Sequence, residues 1–209
     1  MVKKHTSSSA PGDSALPFLG RLLLVICTSA GVVLSFPPYS IYCFIFISLT
    51  PLFYLIIRSG SCAAFFWGWL TGALITAGGF YFIYELMRVF GGMSPLPATV
   101  VTLLFAMFQG LGFAFSALLL RQLYSKTEWP VLFFAPLAWV AVEWICRKIF
   151  IFPWLLGNAT YDMLHTIQIA DLFGGLGVSA LVVFSNALVY QCFEAIRARR
   201  QSGDLSMKL

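Results

Sequence analysis

An all-α, polytopic membrane bundle of about six transmembrane helices, with both termini in the cytoplasm, is the fold this sequence predicts. Three observations predict it. Of the 209 residues 60% are hydrophobic and 10% charged, whereas soluble domains carry about 25% charged residues. Several apolar runs approach or exceed the roughly 18 residues expected of a membrane-spanning helix. The basic residues stand at the ends of these runs and divide unevenly between the two sides.

Residues 1–18 are polar, with Lys3, Lys4 and a serine run, and read as a disordered cytoplasmic tail. A cleaved signal peptide competes with that reading, but no small-x-small site closes a short apolar region. The first span covers 17–36: Pro17 fits a first helical turn, Pro37-Pro38 stops the helix, and Arg21 snorkels to the interface. The second covers 41–57, with a kink at Pro51, and ends at Arg58. The third covers 62–84, the fourth 96–120 followed by a polar loop, the fifth 130–145 and the last 170–193. Residues 196–209 read as a basic cytoplasmic tail, leaving 19–195 as one membrane domain.

Six spans place Lys3, Lys4, Arg21, Arg58, Arg121, Lys126, Arg197, Arg199, Arg200 and Lys208 on one side, against Arg88, Arg147 and Lys148 on the other. The positive-inside rule then puts the termini in the cytoplasm. The segments around "FPPYS" (36–40), "YELMRVFGGMSPLP" (84–97) and "IFPW" (151–154) face outward. The net charge of +5 serves topology, because the basic residues form no stripe with interleaved aromatics, and no nucleic-acid partner is expected. The five cysteines lack C-x-x-C or Cys/His spacing, so neither a disulfide framework, a metal site nor a cofactor is expected.

Within the spans, Gly68, Gly72, Thr76 and Gly79 fall on one helix face, a pattern for close helix packing and secondarily for a binding groove. Glu143 must face protein, water or a cation rather than lipid. It either pairs with Arg147 four residues on or stands near bound substrate. Glu85 and Arg88 are spaced for a similar pair, Asp171 for capping the last helix, and Gln109 and Asn186 for interhelical hydrogen bonds. G-x-S-x-G, Walker A and H-E-x-x-H motifs are absent, so no catalytic residue is assigned.

The segments 34–56, 65–97, 135–158 and 167–189, with "FGGMSP" (90–95) and the F-P-W element at Phe152, Pro153 and Trp154, resemble in that order the N-terminal membrane domain of bacterial apolipoprotein N-acyltransferases. Phe82 and Leu86 stand where that family carries tryptophan and serine. The resemblance implies a multi-pass protein of the bacterial cytoplasmic (inner) membrane. It also implies a function in acyl transfer from phospholipid to the N-terminal cysteine of lipoproteins, through a Glu-Lys-Cys triad on a nitrilase-like domain that residues 1–209 do not contain.

Tyr84, Phe90, Gly91, Gly92, Pro153 and Trp154 occupy matching family positions. Together with Glu85, Arg88, Glu143 and Arg147 they are the candidate lipid- or substrate-binding residues. The implied partners are phospholipid, an apolipoprotein substrate and a separate nitrilase-like catalytic chain. Whether the chain is enzymatic is left open, because the alternative is a non-catalytic lipid- or lipoprotein-binding accessory protein.

Overall fold

The computed structural model describes residues 16–206 apart from 151 and 153; the predicted N-terminal tail lies outside it except for 16–18. The described residues form helices joined by turns, with no strand among them, in the order α1 (Phe18–Ser35), a 3-10 helix (Tyr42–Phe46), α2 (Thr50–Ile57), α3 (Ser61–Gly79), α4 (Phe82–Val89), α5 (Pro95–Lys126), α6 (Val131–Ile149), a second 3-10 helix (Leu156–Thr160), α7 (Leu164–Ile167) and α8 (Ile169–Ser206). Four helices are long and apolar enough to cross a membrane: α1, α3, α5 and Ile169–Arg200 of α8. The 19-residue α6 falls outside that set because any 18 consecutive residues of it hold Glu143, Arg147 and Lys148.

Four elements differ from their predicted form. The second predicted span is broken rather than kinked. Its first part is 3-10, and Pro51 sits in the opening turn of α2, where its missing N–H costs nothing. The third stops at Gly79, and α4 follows as a separate short helix. The fourth runs on through the predicted polar loop to Lys126, so Arg121 is helical and donates to the Ile57 carbonyl at 2.9 Å. The last helix likewise carries the basic segment after 196 as far as Ser206.

Small residues let α3 and α5 pack at close range. A Cβ built on Gly68 would lie 2.6 Å from Ala117 Cβ, and one on Gly72 would lie 2.9 Å from Gly110 Cα. The backbones therefore approach closely enough to gain van der Waals contact that lipid cannot supply between larger side chains. Gly79, assigned to the same stripe, meets nothing within 4 Å. Trp69 Nε1 donates to the Met107 carbonyl at 2.9 Å and ties the two helices further.

The broken second element is held by α8. Asn186, fully buried, donates through Nδ2 to the Ile45 carbonyl at 2.8 Å and accepts the Leu49 amide through Oδ1 at 2.7 Å. These bonds supply partners to backbone groups that leave the regular helical pattern inside an apolar bundle. Around them lies the main core, including Val32, Ile45, Leu49, Phe53, Leu120, Leu156 and Val182. At one end of the bundle Arg58 pairs with Glu194 at 2.8 Å, its guanidinium 3.9 Å from the centre of the Tyr54 ring. The opposite end carries the breaks and loops considered next.

Candidate functional site

Three helix ends bring aromatic residues around one indole. The turn after α1 carries Phe36, the break after α3 carries Phe80, and the segment after α6 carries Trp154. Ring centroids of Phe36, Phe80 and Phe113 stand 5.3, 6.0 and 5.9 Å from that of Trp154, within the range of favourable aromatic pairs. Ser40 and Tyr161 join their hydroxyls at 3.0 Å, linking the turn after α1 to the region beyond the second 3-10 helix.

The segment carrying Trp154 is clamped on both sides. Gln109 Nε2 on α5 donates to the Phe152 carbonyl at 2.7 Å. Glu143 Oε1 on α6 accepts the Leu156 amide at 3.0 Å and the Trp139 indole N–H at 3.1 Å. Each clamp uses only part of its side chain. Gln109 Oε1 and Glu143 Oε2 are buried and without a hydrogen-bond partner among the described residues.

Trp154 lines two cavities. An apolar chamber of about 390 Å³ is walled by Val33, Phe36, Ile75, Phe80, Phe82 and Trp154. A smaller, more polar chamber of about 40 Å³ sets Gln109, Ser116, Glu143 and Arg147 among apolar walls that include Phe113, Trp139, Val142, Phe150 and again Trp154. The first lies within the roughly 300–1000 Å³ of small-molecule pockets and offers almost no hydrogen bonding. The second concentrates polar atoms in a space a tenth as large.

Of the predicted site residues, Glu143, Arg147 and Trp154 come together in the polar chamber, while Pro153 lies outside the described residues. Tyr84, Glu85 and Arg88 sit on α4, Tyr84 half-buried and the two charged residues exposed. Phe90 is 84% exposed. Gly91 and Gly92 form the turn that follows: a Cβ on Gly91 would lie 2.7 Å from the Met87 carbonyl oxygen, and Gly92 has φ 61°. That turn demands glycine whether or not a ligand touches it. None of these six is a wall residue of either chamber.

Two expected ion pairs are not formed among the described residues. Glu143 accepts from Leu156 and Trp139 through Oε1 alone, and the exposed Arg147 makes no ion pair with the Oε2 that is left over. Arg88 reaches the Met93 carbonyl at 3.5 Å rather than Glu85. Asp171 stands exposed in the first turn of α8 without a side-chain cap bond among the described residues. The helix is instead interrupted at Gly174, with φ 66°, a conformation open to glycine.

Sequence reasoning overlooked Phe80, Val33 and Ile75 as chamber walls and Ser116 as part of the polar chamber. Nothing in their local pattern separates them from ordinary packing. Gln109 did carry a signal, as an isolated polar residue in an apolar run, but its partner is a loop carbonyl and not a neighbouring helix.

Residues 28–188 match the family model described as the apolipoprotein N-acyltransferase N-terminal domain. The chain is 28% identical over 171 residues to an apolipoprotein N-acyltransferase of Coxiella burnetii, covering 80% of this chain and 35% of that protein. It is 29% identical over 193 residues to one of Geobacter metallireducens, covering 90% and 36%. A relative from Shewanella oneidensis is 28% identical over 183 residues, covering 83% and 34%. The chain thus spans about a third of the length of the curated relatives it matches. With the family model covering well over half its residues, the chain belongs to the apolipoprotein N-acyltransferase N-terminal domain family.

Proposed function

We propose that this chain is the lipid-binding membrane half of an apolipoprotein N-acyltransferase-type system in the bacterial inner membrane. In this reading it receives a phospholipid acyl chain in the apolar chamber, and the acyl group goes to the N-terminal cysteine of a lipoprotein. The transfer chemistry is carried by a nitrilase-like half outside residues 1–209, and no residue here is assigned a catalytic role. The chamber of about 390 Å³ walled by Phe36, Phe80 and Trp154 is the observation that carries the reading. It is more than twice the roughly 150 Å³ that accommodates a benzene-sized ligand, and each buried methylene contributes about 0.8 kcal/mol.

The reading takes the chain to cross the membrane six times, with the shorter Tyr42–Ile57 and α6 added to the four long apolar helices. Both termini then lie on the side rich in basic residues, the cytoplasm by the positive-inside rule, and the Trp154 end opens toward the outer leaflet. The candidate residues of 84–92 serve there as a surface for head groups or lipoprotein.

Two measurements test the proposal. Bromine-labelled acyl chains should quench tryptophan fluorescence of the purified chain, and the quenching should fall when Trp154 is replaced. Acyl transfer to a diacylated lipopeptide should need both this chain and a nitrilase-like partner. Robust turnover by this chain alone, or quenching indifferent to Trp154, sinks the proposal. Quenching without transfer in the presence of the partner favours a non-catalytic lipid- or lipoprotein-binding accessory protein, for which the chambers need only bind.

A further inference from the structure

We infer that the polar chamber beside Trp154 is a subsite for a primary ammonium group. This extends the lipid-binding reading above from the acyl chain to a polar group bound next to it, and the two are tested separately.

Gln109 Oε1 and Glu143 Oε2 are both buried, neither has a hydrogen-bond partner within 3.5 Å among the described residues, and both side chains line the same cavity, with the Ser179 hydroxyl also acting on Glu143. Gln109 is only 3% exposed. Buried acceptors without donors are costly, and a carboxylate oxygen more so than an amide oxygen. An occupant that donates hydrogen bonds and carries positive charge relieves both. The Ser116 hydroxyl, in a residue 2% exposed, lines the same space. Three acceptors match the three N–H donors of an –NH₃⁺ group. Trp139, Phe113 and Trp154 complete the walls, and aromatic faces favour a cation.

Size narrows the class. At roughly 10–15 Å³ for a water-sized group, about 40 Å³ takes about three to four such groups, enough for a nitrogen and two or three carbons. A quaternary ammonium is both too large and without N–H donors. Arg147, exposed and also lining the chamber, shares the site with the incoming charge, so a carrier with an anion beside its ammonium suits it best. A lipid head group and a peptide N-terminus are two sources of the same ammonium chemistry.

The test uses the full chain in amine-free phosphatidylglycerol nanodiscs, titrated with n-propylammonium and, in parallel, with tetramethylammonium while the thermal midpoint is followed. Propylammonium should raise the midpoint saturably and tetramethylammonium should not. Glu143→Gln keeps an acceptor for Leu156 and Trp139 but removes the charge, and should weaken the response at least tenfold. Gly112→Ala gives a second variant outside the clamps. Its methyl would lie 3.3 Å from Phe150 and 3.5 Å from Cys146 Sγ, a tight fit that narrows the chamber and should also weaken binding. Glycerophosphoethanolamine and a cysteinyl peptide amide, titrated separately, identify the source, the tighter of the two being the carrier. Equal responses to both small cations, or undiminished responses in both variants, overturn the inference. Acyl-chain quenching that persists in that case leaves the lipid-binding reading intact.

Discussion

Asn186 on α8 accepts the Leu49 amide at 2.7 Å and donates to the Ile45 carbonyl at 2.8 Å, so one side chain completes the backbone of a helix that changes pitch between 46 and 50. A third bond, to the Val182 carbonyl at 2.8 Å, fixes its rotamer. Asn186→Leu should therefore destabilise the protein by about 1–3 kcal/mol, the cost of leaving a buried amide unpaired. Thermal denaturation in detergent checks this, and an unchanged midpoint would refute the assignment.

The α3–α5 contact makes a graded prediction. Gly72→Leu forces side-chain atoms into Gly110 and Phe113, which a Cβ alone would already approach to 2.9 and 2.8 Å, and overpacking of this kind costs about 1–3 kcal/mol or more. Gly79→Ala, at a position with nothing within 4 Å, should change the midpoint little. Similar losses in both variants would show that sequence spacing, rather than approach distance, governs the stripe.

Trp154→Ala should cut binding of a bromine-labelled phospholipid at least tenfold, measured by a direct lipid-binding assay, whereas Trp154→Phe should keep most of it. The basis is that the indole walls the apolar chamber and packs against Phe36 and Phe80. Equal binding by wild type and the alanine variant would remove this residue from the lipid site.

Two carboxylates should differ in their contribution to stability. Glu194 is 31% exposed and its partner Arg58 24%, so Glu194→Ala should cost about 1 kcal/mol or less, as solvent-screened pairs do. Glu143→Ala leaves the Leu156 amide and the Trp139 indole N–H without their acceptor and should cost about 1–3 kcal/mol. Comparing thermal midpoints of the two variants at fixed lipid composition decides the order.

The helical bundle was legible because its signal is redundant: α1, α5 and α8 each contain long apolar runs that tolerate an error of several residues at either end. Where the chain breaks was less legible. Pro51 announces a disturbance, but whether a helix kinks there or begins there depends on Asn186, more than a hundred residues away. Spacing suggested Arg147 as the local partner of Glu143, while the observed partners are Trp139, one turn back on the same helix, and Leu156 on a returning segment. The F-P-W element singled out Trp154, which lines both chambers. Its chamber walls, Phe80 and Val33, came from apolar runs that look the same whether they pack or enclose space.

A single indole forming a wall of both chambers makes volume a common resource. Any tilt of the ring that enlarges the apolar side narrows the polar side, unless the clamps at Phe152 and Leu156 yield as well. Were ligands to occupy both sides, any coupling carried by the ring would be reciprocal, each altering the other's affinity by the same factor.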